Sequence, residues 1–242
     1  MSSTTLVLIF LVALIYASVG HGGASGYLAA MSLLAHAPAH MASSALLLNL
    51  LVAGTACLMF WRTGYGSFRL LWPFVVGSVP AAFVGGWIPV SSRVYGWLLA
   101  MALLVAAARL CLPSTSGGRS TPPSLFIAVL AGVGIGLISG IVGVGGGIFL
   151  SPLMILLHWA DPKPTAAASA GFIVVNSAAG LAGRMMAGRL VMGSLFPLVV
   201  AACAGGVVGS RLGANHVAGL WLRRLLAAVL VVAAGKLVVR DG

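Results

Sequence analysis

The chain has 242 residues, 61% of them apolar, and carries 13 Lys/Arg against 2 Asp/Glu, for a formal net charge of +11. Charged residues make up 6% of it, where a soluble domain carries roughly 25%; that leaves too little polar surface for a water-soluble globule and excludes a soluble enzyme. The cations stand singly between apolar stretches and form no basic face, which argues against nucleic acid and for a lipid bilayer as the partner.

A membrane crossing needs about 20 mostly apolar residues. Cutting the chain at charges, Pro/Gly clusters and polar dipeptides gives segments 4–35, 42–61, 68–90, 94–112, 124–158, 165–183, 190–212 and 217–239. The apolar stretch Leu6–Ile15 has no Lys or Arg before it, so it reads as a retained first helix and not a signal peptide. Segment 4–35 would form a helix of roughly 48 Å, against a hydrocarbon layer about 30 Å thick. Something must interrupt it, and Gly20, Gly22, Gly23 and Gly26 stand at its middle. Segment 124–158 has the same excess length, with Gly140, Gly143, Gly145, Gly146 and Gly147 at its middle. Glycine lowers the cost of leaving helical geometry, and unwound backbone at membrane depth is tolerated where protein buries it or where it lines a wet cavity.

Between the fourth and fifth segments lies PSTSGGRSTPP (113–123), the longest polar stretch, which reads as a linker between halves 1–112 and 124–242. The halves resemble each other. VGHGG at 19–23 matches VGVGG at 142–146, offset by 123, and Asn49 in ALLLNLL matches Asn176 in FIVVNSA, offset by 127. Pro73, Gly85 and Trp97 fall on Pro197, Gly209 and Trp221, each offset by 124, and Arg109-Leu110 falls on Lys236-Leu237. Ordered matches with so little drift point to a tandem duplication of a four-segment unit, as in many transporters. If each interrupted segment crosses once, the halves are parallel; if each is a re-entrant hairpin, they are inverted. Leaving out Arg223 and Arg224, which stand further inside their segment, the cations divide eight to three in the first arrangement and six to five in the second. The positive-inside rule thus leans toward parallel halves.

The remaining polar residues sort by position. Arg62, Arg184 and Arg189 follow apolar spans and read as interfacial anchors. Arg223 and Arg224 read as snorkelling, with an anion vestibule as the lesser alternative. Trp61, Trp72, Trp87, Trp97, Trp159 and Trp221 fall near segment ends, as interfacial belts do. Cys57, Cys111 and Cys203 show no metal or disulfide spacing. The acidic residues, Asp161 and Asp241, lie in a loop and at the terminus, which leaves no carboxylate for a mid-membrane proton or sodium relay.

IVGVGGGIFLSPLMILL at 141–157, opening the second half, resembles the TauE/SafE sulfite-exporter family, also called TSUP. The degenerate copy SVGHGGASGYLAAMSLL at 18–34, the repeat and the overall length extend the resemblance over most of the chain. The resemblance implies a bacterial inner-membrane, multi-pass protein that moves sulfite, sulfonates or sulfoacetate-like anions. The first copy departs from the second in placing His21 among the glycines and Ala29 where the second has Pro152.

The expected fold is therefore an all-α polytopic membrane protein of about eight transmembrane segments. They form two homologous four-segment repeats, the first segment of each broken at a Gly-rich motif. A helix restarting after such a break exposes free N–H groups and the positive end of its dipole, an arrangement that holds anions at mid-membrane without a fixed cation. The expected substrate site is His21, Gly22, Gly23, Ser25, Asn49, Gly145, Gly146, Gly147 and Asn176, with Ser18, Ser139 and Ser151 as further hydroxyl donors or as bonds back onto their own helices. No catalytic residue, metal ligand or cofactor is expected. The expected function is alternating-access transport of a small sulfur-containing anion, with a passive anion channel as the alternative; a homodimer is compatible with both.

Overall fold

The computed structural model describes residues 3–18, 22–33, 38–111, 120–190, 196–215 and 220–241. These residues form α1 (Ser3–Ser18), α2 (Ala24–Leu33), α3 (Pro38–Arg62), α4 (Phe68–Trp87), α5 (Ser92–Cys111), α6 (Leu125–Val142), α7 (Gly147–Leu156), α8 (Pro162–Met186), α9 (Phe196–Asn215) and α10 (Leu220–Asp241). Each of the two long segments appears as a pair, α1 with α2 and α6 with α7. Local chemistry sets several ends. Ser67 and Ser124 cap α4 and α6, accepting from Leu70 N and Ile127 N. Pro162 opens α8 at a position where the missing N–H costs nothing. α6 stops at Gly143, which takes a left-handed φ of 89° and turns its N–H back to Ser139 O.

Among the described residues, α4, α6, α8 and His40–Arg62 of α3 are long and apolar enough to cross a membrane; the other spans are shorter apolar helices. Large apolar side chains face outward, Phe126 at 76% exposure among them, as lipid contact requires. Trp61, Trp72, Trp87 and Trp97 are also exposed near helix ends, which fits their interfacial reading.

Close backbone packing fixes the directions of the helices. Gly132, Gly136 and Gly140 of α6 sit against the carbonyls of Phe74, Ser78 and Ala82 of α4, in step along both chains. In return, Gly77 and Gly85 of α4 sit against the carbonyls of Val129 and Leu137. A Cβ at any of these positions would overlap an oxygen, so α4 and α6 lie parallel at a separation that only glycine permits. α8 runs the same way, with Gly180 on Gly86 and Gly183 on the Phe83 carbonyl. The same kind of contact joins α9 to α1, where Gly205 and Gly209 sit on the carbonyls of Phe10 and Leu14. α3 crosses α8 antiparallel: Leu46 lies by Gly180 and Cys57 by Gly171. Two apolar cores result. One is built from residues such as Ile9, Tyr27, Leu48, Leu99 and Leu230; a smaller one joins α4, α7 and α8 through Phe74, Met154 and Phe172.

These contacts correct the reading in which the second broken segment crosses once. After Gly143 the chain turns back, so that Gly146 meets Ile135 of α6 and Gly147 meets Ile173 of α8. α7 then descends along α8 toward its start, where Thr165 Oγ1 donates to Ala160 O. His158 O accepts from Thr121 N, just before α6, at 2.8 Å. Segment 124–158 is thus a re-entrant hairpin that begins and ends at one end of the bundle. α2 likewise folds back on α1, with Ser25 Oγ 2.5 Å from Tyr16 OH and Gly26 packed on Val12 and Tyr16. The lean toward parallel halves came from counting Arg184 and Arg189 as loop charges. Both are engaged with helix ends, and without them the cations divide six to three in either arrangement.

Candidate functional site

The second break runs from Gly143 to Gly146. Gly143, Gly145 and Gly146 have φ of 89°, 77° and 82°, a region that costs other L-residues about 1–2 kcal/mol each. This backbone path is therefore open to glycine alone at low cost. Gly146 caps α7 with no side-chain hydrogen bond, and the first amides to bond back, Phe149 N and Leu150 N, both go to Gly146 O. The start of α7 thus presents its leading N–H groups, with the positive dipole end behind them. In the first break Gly23 has φ 88°, and Tyr27 N returns to Gly23 O at 3.0 Å.

Asn49 joins the two breaks. It lies near the middle of α3 with 0% exposure, and its Nδ2 donates to Val144 O at 2.9 Å. A Cβ built on Gly22 would stand 2.8 Å from Asn49 Oδ1, and one built on Gly145 would stand 2.7 Å from Nδ2. The carboxamide is wedged between the two glycine motifs, and its Oδ1 has no partner. Beside it is a cavity of about 10 Å³ lined by Tyr16, Gly22, Gly23, Ser25, Asn49 and Val144, among others, room for a single water.

The structure brings Gly22, Gly23, Ser25, Asn49 and Gly145 together. Gly146 packs on Phe172 and Ile135, and Gly147 on Ile173, so both support the start of α7 from behind. Asn176 is fully buried but turns to its own helix, Nδ2 donating to Phe172 O at 2.9 Å with Oδ1 unpartnered. The antiparallel crossing of α3 and α8 puts it at nearly the level of Asn49, yet it does not line the cavity. Ser25 pairs with Tyr16. Ser151 bonds back to Gly147 O and meets Ser169 Oγ at 2.8 Å, while Ser139 is buried with no partner. His21 and the side chains of Ser18, Arg223 and Arg224 lie outside the described residues.

Several residues escaped the sequence reading. Ser177 is buried with an unpartnered Oγ, 3.0 Å from a Cβ on Gly145; its place beside Asn176 in a matched stretch was the available signal. Tyr16 closes the cavity from α1. Arg184 is the largest departure: it is 5% exposed, not an interfacial anchor. Its Nη2 donates to Gly140 O at 3.2 Å and Ile141 O at 2.7 Å, and Tyr95 OH donates to Val142 O at 3.2 Å. Three successive carbonyls at the end of α6 are thereby satisfied next to the break, and the cation meets the negative end of the helix. Arg189 does the same for α4, donating to Gly86 O at 2.6 Å and Trp87 O at 2.5 Å. A larger cavity, about 630 Å³, opens at the starts of α4, α6 and α8 beside Arg69, Trp72, Trp159 and Asp161.

Comparison with known proteins gives three findings. The family model described as sulfite exporter TauE/SafE matches residues 5–237. The probable membrane transporter protein y4hK of Sinorhizobium fredii (strain NBRC 101917 / NGR234) is 36% identical over 233 residues, covering 94% of this chain and 94% of that protein. No solved structure matches the chain.

Proposed function

The chain belongs to the TauE/SafE sulfite-exporter family, and from that premise we propose that it carries small sulfur-containing oxyanions, sulfite or organosulfonates such as sulfoacetate, across the bacterial inner membrane. Membership makes it a multi-pass membrane transporter in general terms; the anion, the membrane and the mechanism are our reading. One observation carries it: a buried carboxamide, Asn49, held between two helix breaks, the second of which starts α7 with no side-chain cap on its leading N–H groups.

The chemistry suits a weakly held anion. Amide N–H groups, the free Asn49 N–H and the Ser177 hydroxyl can replace the hydrogen bonds that an oxyanion leaves in water. Among the described residues no Lys or Arg lines the cavity, so in this reading the anion is bound by dipoles and is released without breaking an ion pair. The substrate's negative charge also accounts for the lack of carboxylates near the site, which would repel it.

Access alternates in this reading because the cavity is too small for the substrate. A cavity of about 10 Å³ admits a water but not a sulfur atom with its oxygens, so the breaks must part on one side to load and on the other to release. The series of one broken and three unbroken helices occurs twice, α1–α5 and α6–α10, and we take these as inverted copies meeting at the α3–α8 crossing. The moving bodies then differ from the halves: α4 packs with α6 and α8, and α9 with α1. The small size of the cavity favours a carrier over an open channel.

Purified protein in liposomes tests the proposal. Counterflow of labelled sulfite or sulfoacetate that saturates, and that Asn49→Ala reduces at least tenfold, supports it. Failure to move any sulfur oxyanion, or single-channel currents in planar bilayers, would overturn it.

A further inference from the structure

Resting on the transport reading above, we infer that Arg184 is a positioning residue for the second break. It fixes the end of α6 so that the donors beyond Gly143 stay against Asn49, and it makes the hairpin α6–α7 move with α8.

The geometry supports this through a comparison of tethers. The last turn of α6 is held from two sides. From α8, Arg184 gives two charge-assisted bonds, at 2.7 and 3.2 Å, to Ile141 O and Gly140 O. From α5, Tyr95 gives one neutral bond at 3.2 Å to Val142 O. Bonds from an ionised donor are about twice as strong as neutral ones, so the α8 tether outlasts the α5 tether when the break moves. Glycine packing of α4 on both α6 and α8 reinforces the same grouping, and Arg189 ties the end of α4 to it through Gly86 and Trp87. Arg184 and Tyr95 hold residues 140–142, and residue 144 is the one that receives Asn49. A shift at this end is thus passed to the site across a single intervening residue, Gly143.

The location also explains how a cation is tolerated at 5% exposure with no acid bonded to it. A buried unpaired charge is costly, but the end of α6 offers carbonyl acceptors and about half a negative charge from its dipole. The guanidinium and the helix end stabilise each other, and neither is well placed without the other.

Two readouts on Arg184→Lys, Arg184→Gln and Tyr95→Phe test the inference. The first is liposome flux of sulfite: Arg184→Lys should raise the half-saturation concentration about tenfold, because a single ammonium cannot reproduce the planar fork, while Tyr95→Phe should raise it less. The second is amide hydrogen exchange, which needs no substrate. Amides 143–147 should exchange at least about tenfold faster in Arg184→Gln, with the α1–α9 contact unchanged.

A purely structural arginine would lower the melting temperature and speed exchange throughout, with half-saturation unmoved; that result overturns the inference. Should Arg184→Gln fail to fold, Arg184→Lys and Tyr95→Phe carry both readouts, and unchanged exchange at 143–147 in both refutes it. Wild-type protein that moves no sulfur oxyanion while exchange responds as stated would sink the transport reading and leave the positioning role standing. Normal sulfite flux that ignores Arg184→Lys would do the reverse.

Discussion

Adding one methyl group to Gly145 is the sharpest test of the site. At φ 77° an alanine carries a backbone strain of about 1 kcal/mol or slightly more. Its Cβ would also stand 2.7 Å from Asn49 Nδ2, 2.9 Å from Ile173 Cγ2 and 3.0 Å from Ser177 Oγ. The carboxamide must yield, and losing its bond to Val144 O costs about 1 kcal/mol more. Together these give about 2 kcal/mol, or roughly a thirtyfold rise in half-saturation if the distortion falls on the binding site. The assay is liposome uptake over a substrate range, paired with thermal melts. Gly134→Ala serves as the control, since that helical glycine has nothing within 4 Å of its would-be Cβ and should gain slightly from better helix propensity. Gly22→Ala presses on the other side of the same carboxamide, so the double variant should cost less than the two single effects combined. Uptake by Gly145→Ala equal to that of Gly134→Ala would refute the argument.

Other expectations follow from the same geometry. Asn49→Ala should cost transport at least tenfold, and Asn176→Ala several-fold less, because only Asn49 bridges to a break; initial uptake rates decide this, and equal losses would contradict it. Sulfite, sulfoacetate or isethionate should raise the melting temperature of the purified protein, while changing the cation at fixed anion should not. The sequence places His21 in the first break, and if it carries a proton, His21→Gln should flatten the pH profile of transport; an unchanged profile removes that role.

Much of the architecture was legible because bilayers restrict it so strongly. The segments at 42–61 and 68–90 emerge as α3 and α4 within a few residues, since apolar length and Pro, Gly or Ser at the ends leave few choices. The excess length of 124–158 exposed its break, and three of the five glycines that mark it, Gly143, Gly145 and Gly146, have left-handed backbone. Direction was not legible. Whether a broken segment crosses or returns depends on three-dimensional packing, such as Gly146 on Ile135, which no local pattern records. Charge counting failed for a related reason: an arginine ending an apolar run looks the same whether it reaches water or a buried helix end. Asn49 and Asn176, at matched places in the sequence, differ in what their side chains bond. One amide bonds across helices and the other along its own.

The packing of α4 on α6 and α8, and of α1 on α9, interlocks the residues on either side of the linker. Cut at the linker, each fragment would expose a glycine-lined groove shaped for a helix that the other fragment holds. Neither fragment would close its own packing, so the two should be stable in the bilayer only together.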